Sequence, residues 1–84
     1  MNECYLIIQI ISEINFKFII NQKQKSIVIF KAKLLNDSEV TIVAYDELAD
    51  YIYKNQPKNM CIRGEIISEM KVAIKEIYKK TGNH

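Results

Sequence analysis

Hydrophobic and polar positions alternate with a period of two along much of this chain, which predicts strands. Cys4-Tyr5-Leu6-Ile7-Ile8-Gln9-Ile10-Ile11 is apolar on both parities, the pattern of a strand that is central or covered. Ser12-Glu13 interrupts it. Ile14, Phe16, Phe18 and Ile20, spaced by Asn15, Lys17 and Ile19, continue the strand beyond a bend. Asn21-Gln22-Lys23-Gln24-Lys25 has no apolar anchor and reads as a solvated loop. From Ser26 the alternation sharpens into a second strand. Val28, Phe30, Ala32 and Leu34 fall on one face, and Ile27, Ile29, Lys31 and Lys33 on the other. Asn36-Asp37-Ser38 is a turn signal, because Asn and Asp tolerate left-handed backbone. A hairpin partner follows as the third strand, with Val40, Ile42 and Ala44 inward and Glu39, Thr41, Val43 and Tyr45 outward.

The period then changes. Leu48, Ala49, Ile52 and Tyr53 recur at helical spacing, with Asp46 as N-cap, Glu47 in the first turn and Lys54 at the C-terminal end. Asn55-Gln56-Pro57 stops the helix, since Pro57 pushes Gln56 out of helical geometry. Met60 to Ile67 forms a fourth strand, in which Gly64 marks a bulge or a close backbone approach. Met70 to Lys80 fits a helix through Ala73, Ile74, Ile77 and Tyr78, and a strand through Met70, Val72 and Ile74. Five short antiparallel strands, with one helix between the third and fourth, make the plan of the OB-fold, an all-β partly open barrel.

Composition narrows the function. Eighty-four residues, 49% hydrophobic and 26% charged, describe one globular domain, taken as 1–80 with a short tail at 81–84. The single histidine is His84, and no His, Cys and carboxylate grouping has ligand spacing, so no metal site is expected. No nucleophile–base pair is visible either, and the chain reads as a non-enzyme without cofactors. Two glycines leave no phosphate-cradling loop. Cys4 and Cys61 lie in apolar runs and are expected as buried, inert thiols in a reducing compartment. The apolar run from Tyr5 to Ile20 is too short to span a bilayer and carries Glu13, Asn15 and Lys17. A formal charge of +2 means that any nucleic-acid binding must come from where the lysines stand. Ile, Lys, Asn, Tyr, Phe and Met supply 45 residues, a codon signature of an A+T-rich genome.

Three segments carry a resemblance. Asn2-Glu3-Cys4-Tyr5-Leu6-Ile7 resembles the opening strand of the bacterial and organellar single-stranded DNA-binding proteins. Val43-Ala44-Tyr45-Asp46-Glu47-Leu48-Ala49-Asp50 resembles their strand-to-helix junction, and Cys61-Ile62-Arg63-Gly64-Glu65-Ile66 the strand after it. The order and spacing cover roughly the whole chain. With the codon signature, a small plastid-encoded member is the nearest likeness, acting in the plastid stroma, the alternative being a bacterial cytoplasm. The resemblance implies an OB-fold that forms homodimers or homotetramers and coats single-stranded DNA without sequence preference in replication or repair. It also implies a fifth strand over 71–78. The chain departs from the pattern in four ways. Ile8 replaces a common glycine, two long DNA-gripping loops shrink to 36–38 and 68–70, and the acidic tail is absent.

Single strands are held by a basic groove with aromatic faces for the bases. Lys31, Lys33, Thr41 and Tyr45 on the outward faces of the second and third strands are the first candidates, joined by Lys17 and Arg63. The resemblance gives Tyr45 a stacking role, against simple packing on the helix start. It puts Glu39 where a second stacking residue belongs. Lys31 and Lys33 also suit a solvated face that blocks edge pairing, and Arg63 suits a pair with a neighbouring Glu. Ile27 and Ile29 on the same face leave open a different class of function, an OB-fold interaction subunit with weak or no DNA binding. RNA is admitted as readily as DNA, because nothing here identifies a reader of the 2′-hydroxyl.

Overall fold

The inward parities meet in one core. Ile8, Val28, Phe30, Ile42, Ile52 and Ile62 are its largest fully buried members, drawn from four strands and the helix. The computed structural model describes residues 2–20 and 23–78. The elements are β1 (Glu3–Ile10), β2 (Asn15–Phe18), β3 (Ser26–Lys33), β4 (Glu39–Tyr45), α1 (Asp46–Asn55), β5 (Asn59–Ser68) and β6 (Lys71–Tyr78). The strands are ordered β1-β5-β6-β4-β3-β2, and β1 also pairs with β3, which closes the ring. This is the OB barrel, its first strand divided into β1 and β2 at Ser12-Glu13, with α1 between the third and fourth strands of the plan. One pairing is not antiparallel. β4 and β6 run parallel, with Thr41 beside Lys71 and Val43 beside Ala73.

The β3–β4 turn forms as its residues dictate. Asp37 takes the left-handed conformation, its N–H donates to the Leu34 carbonyl, and the Asn36 carboxamide accepts from the Ser38 N–H. The ambiguous tail is a strand, β6, reached by a tight turn at Glu69-Met70. Gly64 answers both expectations made for it. The β5–β6 register shifts between Arg63 and Gly64, and a Cβ there would stand 2.5 Å from Val72 and 2.9 Å from the Ala73 carbonyl oxygen.

Four expectations are corrected. Asp46 does not cap α1 through its side chain. Tyr45 holds the cap position without a capping hydrogen bond. The Asp46 carboxylate turns back to accept from the N–H groups of Lys25 and Ser26, at 2.6 and 3.3 Å, while its own backbone is left-handed. Val43, read as outward, has the outward parity and lies beside Ile29 and Ala73, yet it is 1% exposed rather than open as an outward position would be. The thiols are not both buried: Cys4 is half-buried and Cys61 exposed, both free and of opposite strand parity. Finally, β1 is covered on one face only, with Tyr5 and Ile7 open on the other, and Phe18 and Ile20 at the end of the bent strand are exposed. The expected tail at 81–84 lies outside the described residues.

Candidate nucleic-acid interface

Strand parity and register gather the predicted residues. Facing away from the core, β3 presents Ile27, Ile29, Lys31 and Lys33, and β4 presents Tyr45, Val43, Thr41 and Glu39 as their register partners in that order. On the β2 side, Lys17 is the partner of Ile27 and Asn15 of Ile29. On the β6 side, Lys71 is the partner of Thr41. The rows across the sheet therefore read Lys17–Ile27–Tyr45, Asn15–Ile29–Val43–Ala73, Lys31–Thr41–Lys71 and Lys33–Glu39. Rows two residues apart along a strand are about 7 Å apart, so Lys17 and Lys31 bracket about 13 Å of apolar floor.

Five of the six residues predicted from sequence, Lys17, Lys31, Lys33, Thr41 and Tyr45, thus share one face. The sixth, Arg63, stands elsewhere. It lies on the β1–β5–β6 side, donating from Nη1 to Glu3 at 2.7 Å and from Nε to Glu76 at 3.2 Å. These hydrogen bonds, Glu76 first and Glu3 next, raise its pKa above the ordinary guanidinium value. Lys75 pairs with Glu65 at 3.6 Å on the same side. Tyr78 stacks on Tyr5 there, with ring centres 6.4 Å apart, and partial desolvation followed by the charge of Glu76 raises its phenol pKa.

The two sides differ in charge. Every ion pair among the described residues belongs to the β1–β5–β6 side. On the β3–β4 face, Lys17, Lys31, Lys33 and Lys71 have no carboxylate oxygen within 4.0 Å among the described residues, although Glu39 is in register with Lys33 and Glu13 lines the rim beside Lys31. Lys71 was missed from sequence. It sits in the segment whose structure was ambiguous, and only the parallel β4–β6 pairing brings it beside Thr41. Ser12, in the bend, accepts from the Lys31 N–H at 2.8 Å and fixes the β2 side of that row. Lys23 and Lys25 stand apart, around a hollow with Asp46, Glu47 and Asp50 at the start of α1.

With this geometry, solved structures give a direct comparison. The chain superimposes on the crystal structure of the SSB domain of a Synechococcus protein with a TM-score of 0.78 at 9% identity, over 94% of this chain and 96% of that one. The chain has the fold of an SSB domain. A small single-stranded DNA binding protein from Mycoplasma pneumoniae matches over 100% of this chain and 92% of its own, with a TM-score of 0.61 and 17% identity. At these identities the likeness is one of fold. No family model matches the sequence, and no curated protein matches it. In an OB barrel of this plan the second and third strands offer the surface on which oligonucleotides lie, and here those strands are β3 and β4. Arg63 belongs to the opposite, ion-paired side.

Proposed function

We propose that this chain binds single-stranded DNA on the β3–β4 face, without sequence preference, in the replication or repair of an A+T-rich genome. The observation that supports this reading best is the set of four lysines, Lys17, Lys31, Lys33 and Lys71, without an ion pair within 4.0 Å among the described residues, around an apolar floor ending at Tyr45. Amines at both ends of the floor meet phosphates, while Ile27, Ile29 and the Tyr45 ring offer flat contact to bases. Nothing on this face identifies a reader of the 2′-hydroxyl, so the same surface is open to RNA. The solved structures of the same fold, one an SSB domain and one a single-stranded DNA binding protein, support the reading. The codon signature supports a plastid stroma or a bacterial cytoplasm as the place of action.

Self-association is part of the proposal. On the edge turned to β3, β1 pairs only at Gln9 and Ile10, which leaves Glu3 to Ile8 without a strand partner there. Tyr5 and Ile7 are exposed beside that edge. An unpaired edge next to apolar side chains is a template for another strand, and a second copy of this chain supplies it. The same surface supports the other reading, an OB-fold interaction subunit that has lost its grip on DNA. Titration with poly-dT separates them: direct binding quenches tyrosine emission and retards the oligomer in a gel at about 50 mM salt. Absence of both effects would leave only the interaction reading.

A further inference from the structure

Phe18 is the most conspicuous side chain that this reading leaves unused. It is 79% exposed at the end of β2, although its parity matches the core-facing Phe16. Phe16 meets Phe18 edge-on with ring centres 5.1 Å apart and lies 4.6 Å from the Tyr53 ring on α1. Tyr53 is itself half exposed. An exposed aromatic ring braced by a second, which a third backs in turn, is a stacking surface.

We propose that single-stranded nucleic acid lying on the β3–β4 face continues over the edge of β2 and seats a base on Phe18, which Phe16 braces and Tyr53 backs through Phe16. The inference rests on the reading above. Continuity with the lysine face selects the occupant. Lys17, between the two phenylalanines in β2, points to the lysine face in the row of Ile27 and Tyr45, while Phe16 and Phe18 fall on the other parity. A strand passing Lys17 therefore needs to cross only one backbone, and among the described residues β2 pairs with β3 alone. Lys54 follows Tyr53 in the last turn of α1 and has no carboxylate oxygen within 4.0 Å among the described residues. Of the nearby acids, Asp46 accepts from two backbone N–H groups and Asp50 from the Ser26 hydroxyl.

The chain contains no tryptophan, so Phe18→Trp supplies a single reporter at the proposed platform. The side chain is exposed, and neither this variant nor Phe18→Ala removes core packing. Oligothymidylates of about 4 and about 16 nucleotides bracket the site sizes of one OB barrel. The longer one is expected to quench the Phe18→Trp emission strongly and the shorter one weakly. Phe18→Ala is expected to weaken the longer oligomer about 5- to 150-fold, as loss of one stacked base implies, and to spare the shorter. If wild-type protein binds both oligomers and neither variant responds, the platform is wrong and the lysine face stands. If Phe18→Ala instead shifts the sedimentation coefficient and leaves DNA affinity intact, the ring covers another protein copy and the proposal is overturned. If wild-type protein binds neither oligomer, both readings fall together.

Discussion

Cys4 and Cys61 differ by one step of strand parity in their fate. Cys61 follows the inward Met60 and points out; Cys4 is half-buried against β5. Burial raises the Cys4 thiol pKa above its ordinary value, with Glu3 adding to the rise and a hydrogen bond at the Gly64 backbone opposing it. A raised pKa means less thiolate at any given pH, and thiolate is the reacting species. At mildly alkaline pH, iodoacetamide should therefore label Cys61 first and Cys4 only slowly, read by peptide mass spectrometry. Equal labelling would contradict this placement. The sequence marked both thiols as buried because each sits in an apolar run. Which parity of that run faces the core depends on strands elsewhere in the chain. The same holds for Asp46: its type suits a cap, but its carboxylate accepts from the Lys25 and Ser26 N–H groups some twenty residues earlier.

At the scale of elements, local periodicity carried most of the barrel. The inward faces of β3 and β4, the turn between them, the stop of α1 after Asn55 and the bulge at Gly64 all follow from short patterns. The bulge yields a prediction. Gly64→Ala drives a Cβ into Val72 and the Ala73 carbonyl, and the backbone oxygen cannot turn aside as a side chain does. A destabilisation of about 1–3 kcal/mol is expected, measured as a lower urea midpoint at unchanged slope; an unchanged midpoint would show that β5 and β6 are farther apart. Long-range pairing was not legible in the same way. The parallel β4–β6 contact, which places Ala73 beside Val43 and brings Lys71 into the lysine rows, has no local signature. Phe18 fits the inward alternation, yet it lies past the point where the sheet still covers β2.

The whole molecule turns a small net charge into a polarised surface. A formal +2 left any nucleic-acid binding to the placement of the lysines. Among the described residues, ion pairing is concentrated on β1–β5–β6, where Glu3, Glu65 and Glu76 meet Arg63 and Lys75, and the β3–β4 face keeps its lysines unpaired. Five of the six candidate residues were legible because two strand parities placed them together, and a third strand, β2, shares the register. Arg63 was not separable from them by residue type, since its partners Glu3 and Glu76 come from opposite ends of the chain. The salt dependence of binding is the most direct test. For single strands the log–log slope is about −0.7 per phosphate neutralised, so four lysines give about −3. Replacing Lys31 and Lys71 together with alanine should flatten it to about −1.4, and Arg63→Gln should leave it unchanged. A slope that ignores the loss of Lys31 and Lys71, or one that flattens with Arg63, would put the nucleic acid on the other side of the barrel.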